Sequence, residues 1–253
     1  MRPVPGDAVR RMAALLLCLL ALPAQAVELE RIEPPNWWVG MQSDRLQLLV
    51  HGPGIGGAQV ASGAADFRIT GTQRVASPNY LFVDVRIAPG AKPRAVPLRF
   101  TLNGATKTVP YEMRAREPGS AQRRGFGPAD VMLNLMPDRF ANGNPANDDM
   151  PGMLEKANRA EKSGGRHGGD IQGIIDHLDY IQAMGYTMLW PTPLTENNQP
   201  AYSYHGYAAT DTYRIDARFG TNDDYRRLAQ EARRRGIGLI MDFVPNHIGS
   251  RHW

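Results

Sequence analysis

Residues 170–191 read DIQGIIDHLDYIQAMGYTMLWP, and this stretch decides the architecture. Ile171, Ile174, Ile175, Leu178 and Ile181 recur at intervals of three and four, which marks one face of an α-helix. Asp170 has the short acceptor side chain that caps a helix N-terminus, and Gly185 supplies the stop. YTMLW (186–190) follows almost at once as a short buried strand ended by Pro191. The same grammar extends outward on both sides. VMLNLM (131–136) is a mostly apolar strand ahead of a long polar loop, residues 142–169. Downstream, a second long loop leads to a helix starting near Thr221 or Asn222, with Tyr225, Leu228, Ala229 and Ala232 on its apolar face and Gly236 at its end. A third strand, IGLIMDF (237–243), comes directly after. Strand, helix, strand, helix, strand implies parallel pairing with helices packed outside. An open doubly wound sheet and a (β/α)8 barrel both fit. The long strand-to-helix loops favour the barrel without deciding for it, because a barrel enzyme builds its site on those loops.

Residues 27–115 follow another pattern. LQLLV (46–50), YLFVDV (80–85) and VPLRF (96–100) are short apolar runs separated by HGPG (51–54), APG (88–90) and the Asn103-Gly104 pair. Strands at this spacing with Pro/Gly punctuation indicate a small β-sandwich of the immunoglobulin-like kind. Residues 116–128, rich in Arg, Gly and Pro and without periodicity, read as a linker, so residues 129–253 form the second domain. Trp37 and Trp38 offer either core or a sugar platform on the sandwich, with core favoured for at least one of them.

The chain has 253 residues and a formal net charge of +4. Arg2, Arg10 and Arg11 against Asp7 supply +2 of it before residue 27, and the rest is scattered. With no basic stripe, nucleic acid is excluded as a partner class. Residues 1–26 read as a cleaved signal peptide. Arg10 and Arg11 precede an apolar run at 12–22, too short for the roughly 20 residues of a membrane span, and Ala24-Gln25-Ala26 is a small-residue cleavage site. The single cysteine, Cys18, lies in that leader, so the mature chain relies on its core or on bound ions rather than disulfides. A periplasmic or secreted product, free of the membrane after cleavage, is expected.

Six strings occur in a fixed order: PPNWWVGM (34–41), MPDRFANGN (136–144), HGGD (167–170), GYTMLWPTP (185–193), YHGY (204–207) and DFVPNH (242–247). In that order and spacing they resemble glycoside hydrolase family 13, the α-amylase family, and most closely its cyclomaltodextrinase and neopullulanase branch. The likeness covers nearly everything after the leader. It implies a sandwich domain followed by the first three βα units of a (β/α)8 TIM barrel, truncated. It implies cleavage of α-1,4-glucosidic bonds in maltodextrin, cyclodextrin or pullulan with retention of configuration. Transglycosylation, isomerisation or non-catalytic glucan binding are the alternatives.

Specific residues inherit roles from the likeness. Tyr207 resembles the tyrosine that stacks under a sugar ring, an apolar face suited to pyranose C–H groups, with His205 serving the rim hydroxyls. His247 resembles the histidine that bonds sugar hydroxyls, and Asp242 a strand-end carboxylate paired with an arginine of the next strand. Asn142, Asn144, Asn147, Asp148, the Gly168 carbonyl and Asp170 match a calcium site, and such hard oxygens suit that ion. Asn144 departs from the family's usual Asp, which removes a ligand charge. No residue is assigned as catalytic. The nucleophile and general acid of a retaining glycosidase stand about 5 Å apart, and in the family they lie on the fourth and fifth strands, beyond Trp253. These 253 residues alone are therefore expected to be inactive. Full-length relatives of this branch often pair through the sandwich domain, which implies a homodimer for the full-length protein. Trp190 is expected in the core at least as readily as at a sugar, Asp138 to pair with Arg139 or hold its loop, and Asp211 to be structural.

Overall fold

The computed structural model describes residues 26–253 apart from Arg124. The leader read at 1–26, with Cys18, lies outside the described residues except for Ala26. The chain divides into two compact units between Gln122 and Arg123.

The first unit holds eight strands: β1 (Arg31–Glu33), β2 (Asn36–Trp38), β3 (Arg45–His51), β4 (Gln59–Ser62), β5 (Phe67–Arg74), β6 (Tyr80–Ile87), β7 (Arg94–Leu102) and β8 (Ala105–Arg114). They form two four-stranded sheets, ordered β1-β3-β6-β5 and β2-β8-β7-β4. Alternation explains the layering. Leu81, Val83, Val85 and Ile87 of β6 and Val96, Leu98 and Phe100 of β7 are buried in one shared core, while the residues between them point outward. Asn103 (φ 49°) and Gly104 (φ 81°) join β7 to β8 with Leu102 opposite Ala105, the two-residue left-handed hairpin that an Asn-Gly pair favours. Trp37 packs against the core and Trp38 is partly exposed, so the tandem divides its roles.

The second unit comprises β9 (Met132–Leu135), α1 (Pro137–Phe140), α2 (Ile171–Asp176), α3 (Leu178–Ala183), β10 (Met188–Pro191), β11 (Thr195–Glu196), β12 (Asp211–Ile215), α4 (Asn222–Arg234) and β13 (Gly238–Leu239). Strands β9, β10 and β13 make a parallel sheet in the order β13-β10-β9, with Leu189 level with both Leu133 and Leu239. Each strand thus pairs with the next parallel strand in the chain, as at the start of a TIM barrel. The core beneath them gathers Leu135, Leu189, Ile171, Ile174, Leu178, Ile181, Leu228 and Ala232. No helix among the described residues is long and apolar enough to cross a membrane.

Three local expectations need correction. The helix read through 171–181 breaks at His177 (φ −110°, ψ 10°) into α2 and α3. His177 Nδ1 lies 2.8 Å from the Gly173 carbonyl, the acceptor its own amide would use in a continuous helix, and that amide turns to Ile174 O instead. The third strand is two residues long rather than seven. Beyond Ile240, whose amide donates to Leu189 O, the ladder has no further partner among the described residues. The second strand starts at Met188 and includes Pro191 as its last residue. The second long loop is also less irregular than its composition implies, since β11 and β12 pair antiparallel within it.

Candidate functional site

The expected sugar-side residues meet where β10 and β13 end. Asp242, three residues past β13, is half-buried, and its Oδ2 accepts from Tyr207 Oη at 3.0 Å and from Trp190 Nε1 at 3.1 Å. A carboxylate at such a site needs donors. Here two neutral ones, Tyr207 Oη and Trp190 Nε1, provide them. Trp190 is 39% exposed, so it belongs to this rim and not to the core.

His247 reaches the same place from the loop after β13. Its Nε2 lies 2.8 Å from the Tyr207 carbonyl and its Nδ1 3.2 Å from Asn246 Nδ2. A carbonyl only accepts, so the ring proton sits on Nε2 and Nδ1 takes the amide hydrogen. Gly249 N donating to Ala209 O at 2.8 Å holds the two loops together. Tyr207 N donates to His205 Nδ1 at 2.9 Å, and the two rings stack with centroids 5.7 Å apart. Tyr204 meets His205 edge-on, and the Arg139 guanidinium lies 4.0 Å over the Tyr204 ring. Gly206 between them has φ 83°, and a Cβ there would fall onto the Pro193 carbonyl, so only glycine lets this turn press against the end of β10.

Electrostatics match the geometry. Burial holds the His205 imidazole below its ordinary range, with the Glu155 charge opposing only in part. Burial, then the bond to Asp242 and its charge, push the Tyr207 phenol up. Both groups are thus kept neutral near pH 7. Tyr207 remains 38% exposed. The result is a ledge with an aromatic surface, a neutral imidazole and an anchored carboxylate.

The expected metal loop is also assembled in part. Asp170 caps α2 by accepting from Gly173 N at 2.7 Å, and its carboxylate also takes Gly143 N at 3.1 Å and Asn144 N at 2.8 Å. Asn142 Nδ2 donates to Asp148 Oδ1 at 2.7 Å. Gly168 (φ 84°) lies against both, where a Cβ would collide with the Asp148 carboxylate and stand 2.8 Å from Asn142 Nδ2. The amide oxygens of Asn142 and Asn147 are buried with no hydrogen-bond partner. Asn144 is the exception: its Oδ1 takes Ala146 N at 3.3 Å and caps the short turn that follows. Among the described residues no group of three or more His, Cys, Asp or Glu side chains is arranged to hold a metal. The donor set here consists mainly of amides and a carbonyl with two carboxylates, and two orphaned buried oxygens are the chemistry a hard cation satisfies.

Sequence reasoning missed the charged group beneath the ledge. Asp216 and Arg218, both buried, pair at 2.9 and 2.7 Å. Burial alone would raise the Asp216 pKa, but the bond to Arg218 and the charges of Arg166 and Arg218 hold it down. Arg166 is 1% exposed. An arginine following two glycines and an Asp-x-Arg spacing carry no period that separates them from surface residues. Asp138 and Asp211 behave as read. The former pairs with Arg139 and accepts His167 N and Gly168 N, and the latter accepts Tyr213 N.

A β-rich unit followed by parallel strands that pair in chain order with helices between them is the class of an α/β barrel's opening units behind an accessory domain. Residues 134–253 match the family described as alpha amylase, catalytic domain, and residues 31–117 match the cyclomaltodextrinase N-terminal family. The chain belongs to glycoside hydrolase family 13, in its cyclomaltodextrinase/neopullulanase-like branch. It is 41% identical over 122 residues to neopullulanase 2 of Thermoactinomyces vulgaris, covering 48% of this chain and 20% of that protein. It is 43% identical over 115 residues to a beta/alpha-amylase of Paenibacillus polymyxa, covering 46% and 9%. With the periplasmic alpha-amylase of Escherichia coli K12 it shares 39% over 126 residues, covering 46% and 18%. The chain spans less than a third of the length of each of these relatives.

Proposed function

We propose that the second unit supplies the first three βα units and one glucose-binding ledge of an enzyme that cleaves α-1,4-glucosidic bonds in maltodextrin, cyclodextrin or pullulan. The observation that carries this reading is the convergence of His205, His247 and Asp242 on Tyr207, with Trp190 joined to them through Asp242, at the ends of β10 and β13. Tyr207 offers its exposed ring to the apolar C–H face of a glucose unit. His205, neutral with Nδ1 already accepting, has its remaining proton on Nε2 to give to a hydroxyl. A sugar hydroxyl competes with the Asn246 amide for His247 Nδ1. Asp242 fixes Tyr207 and Trp190, and its other lone pairs accept hydroxyl protons.

Bond cleavage with retention needs two carboxyl groups about 5 Å apart, and none of the residues assigned here plays either part. On this reading residues 27–115 are the immunoglobulin-like sandwich, 116–128 the linker and 129–253 the beginning of the catalytic domain. The 253-residue chain then releases no reducing sugar from soluble starch. Asn142, Asn147, Asp148, Asp170 and the Gly168 carbonyl would hold a calcium ion, whose charge would fix the loop against α2. Export to the periplasm or exterior is supported by the leader at 1–26 and by a periplasmic relative.

Titration of the chain with maltohexaose by calorimetry tests the ledge. Binding is expected, weakened at least about tenfold by Tyr207→Ala, a loss of roughly 1.4 kcal/mol. Equal affinity in the variant, or no heat with the wild type, would overturn the glucan reading.

A further inference from the structure

The ledge stands on Ser203. Residues 203–205 form a single tight turn, and Ser203 is fully buried. Three side chains hold it. Glu155 Oε2 accepts Ser203 N at 2.6 Å, Asn197 Nδ2 donates to Ser203 O at 3.1 Å, and Arg166 Nη1 lies 3.3 Å from both Ser203 O and Ser203 Oγ. Arg218 braces two of the three, giving Nη1 to Glu155 O and Nη2 to Asn197 O, each at 2.9 Å. The entry to the turn is strained. Tyr202 is a non-glycine residue at φ 57°, and its ring lies where a Cβ on Gly164 would stand 2.6 Å from Cε1.

Arg166 is the costly member of this group. Its guanidinium lies 4.6 Å over the Phe219 ring with Asp138 3.9 Å from Nε, and neither Nε nor Nη2 has a hydrogen-bond partner. An apolar side chain of similar length would fill that space without desolvating a charge. What the guanidinium adds is a directed N–H aimed at Ser203 and a positive charge among Asp138, Asp216 and Glu155.

We propose that Arg166 is a positioning residue for glucan binding. It is a buried latch that locks the turn at Ser203 and, through that turn, sets His205 and Tyr207 in their receiving orientation. The proposal rests on the glucan reading above, and its test separates the two. Arg166→Met removes the latch. Arg166→Lys keeps the charge that balances the three carboxylates, and so keeps the fold, but loses the planar fork.

Hydrogen exchange and maltohexaose affinity are measured for both variants, alone and combined with Tyr207→Ala. Exchange across residues 200–208 is expected to accelerate about tenfold in Arg166→Met, with that of α2 and β10 unchanged, and Arg166→Lys should fall between it and the wild type. Affinity should drop about fivefold in the Tyr207 background and not at all further in Tyr207→Ala, the non-additivity of residues acting through one another. Unchanged exchange at 200–208, acceleration spread evenly over residues 123–253, or affinity losses that simply add would each overturn the latch. If the wild type binds no maltohexaose, the glucan reading falls while the exchange measurement still decides whether Arg166 holds the turn.

Discussion

His205 carries the sharpest consequence of single-residue chemistry. Its Nδ1 accepts the Tyr207 amide, so protonation there would replace an acceptor by a donor and break the bond that aligns the two rings. Burial places the folded pKa below the ordinary 6.5. A depressed pKa means that the neutral ring's contribution is complete above the unfolded value and is lost as pH falls through the folded one. Maltohexaose affinity should therefore be flat near pH 7 and fall toward about pH 5, the range in which histidine titrates. His205→Asn should bind more weakly throughout and lack the acid-side fall, and a wild-type affinity unchanged at pH 5 would remove His205 from the ledge. Tyr207, His205, His247 and Asp242 were legible in the sequence because short strings around strand ends carry them. The partners of Asp242 were not: a tryptophan and a tyrosine 52 and 35 positions away reach it only through the fold. Arg166 was invisible for a related reason, since a buried charge is recognised by its surroundings, which lie on a distant loop.

The elements show which signals carry over. Helix α4 was readable because its devices are local: Thr221 and Asp224 form a reciprocal capping box, and Gly236 (φ 72°) closes the other end. Helix α2 was readable in its face and cap but not in its length, because the break at His177 depends on a side-chain contact that periodicity does not encode. Strand β13 is shorter than its apolar run because such a run becomes a strand only where a neighbour completes its ladder. Close approach adds a constraint of its own. Gly143 and Gly173 interlock the loop after α1 with the first turn of α2, and a Cβ on Gly173 would fall onto the backbone carbonyl of Ala141, which has no freedom to yield. Gly173→Ala should therefore cost at least about 3 kcal/mol, although alanine is ordinarily the better helix former by about 1 kcal/mol. Urea unfolding followed by circular dichroism would check it, and a neutral or stabilising result would mean that loop and helix are not packed as described.

At the scale of the whole molecule, two units with separate cores should respond separately. The β-rich unit is held by its own buried set, from Leu46 and Leu48 to Tyr111 and Met113, and contains none of the oxygen ligands proposed for calcium. All of those lie between Asn142 and Asp170, where one ion would neutralise Asp148 and Asp170 and satisfy the orphaned oxygens of Asn142 and Asn147. A ligand that binds only the folded state stabilises it by about 2.7 kcal/mol at a hundred times its dissociation constant. Scanning calorimetry should then show two transitions, of which calcium raises one by about ten degrees, the shift that about 2.7 kcal/mol gives a domain of this size. Chelator should reverse the shift, and Asp148→Ala should abolish it without moving the other transition. Asn144→Asp should enlarge the shift by restoring a ligand charge, but only if its side chain leaves the Ala146 amide it now caps. One cooperative transition displaced as a whole would mean that the units unfold together. Two transitions that both ignore calcium would mean that the loop is held by its hydrogen bonds alone, with Asp170 acting as a helix cap and nothing more.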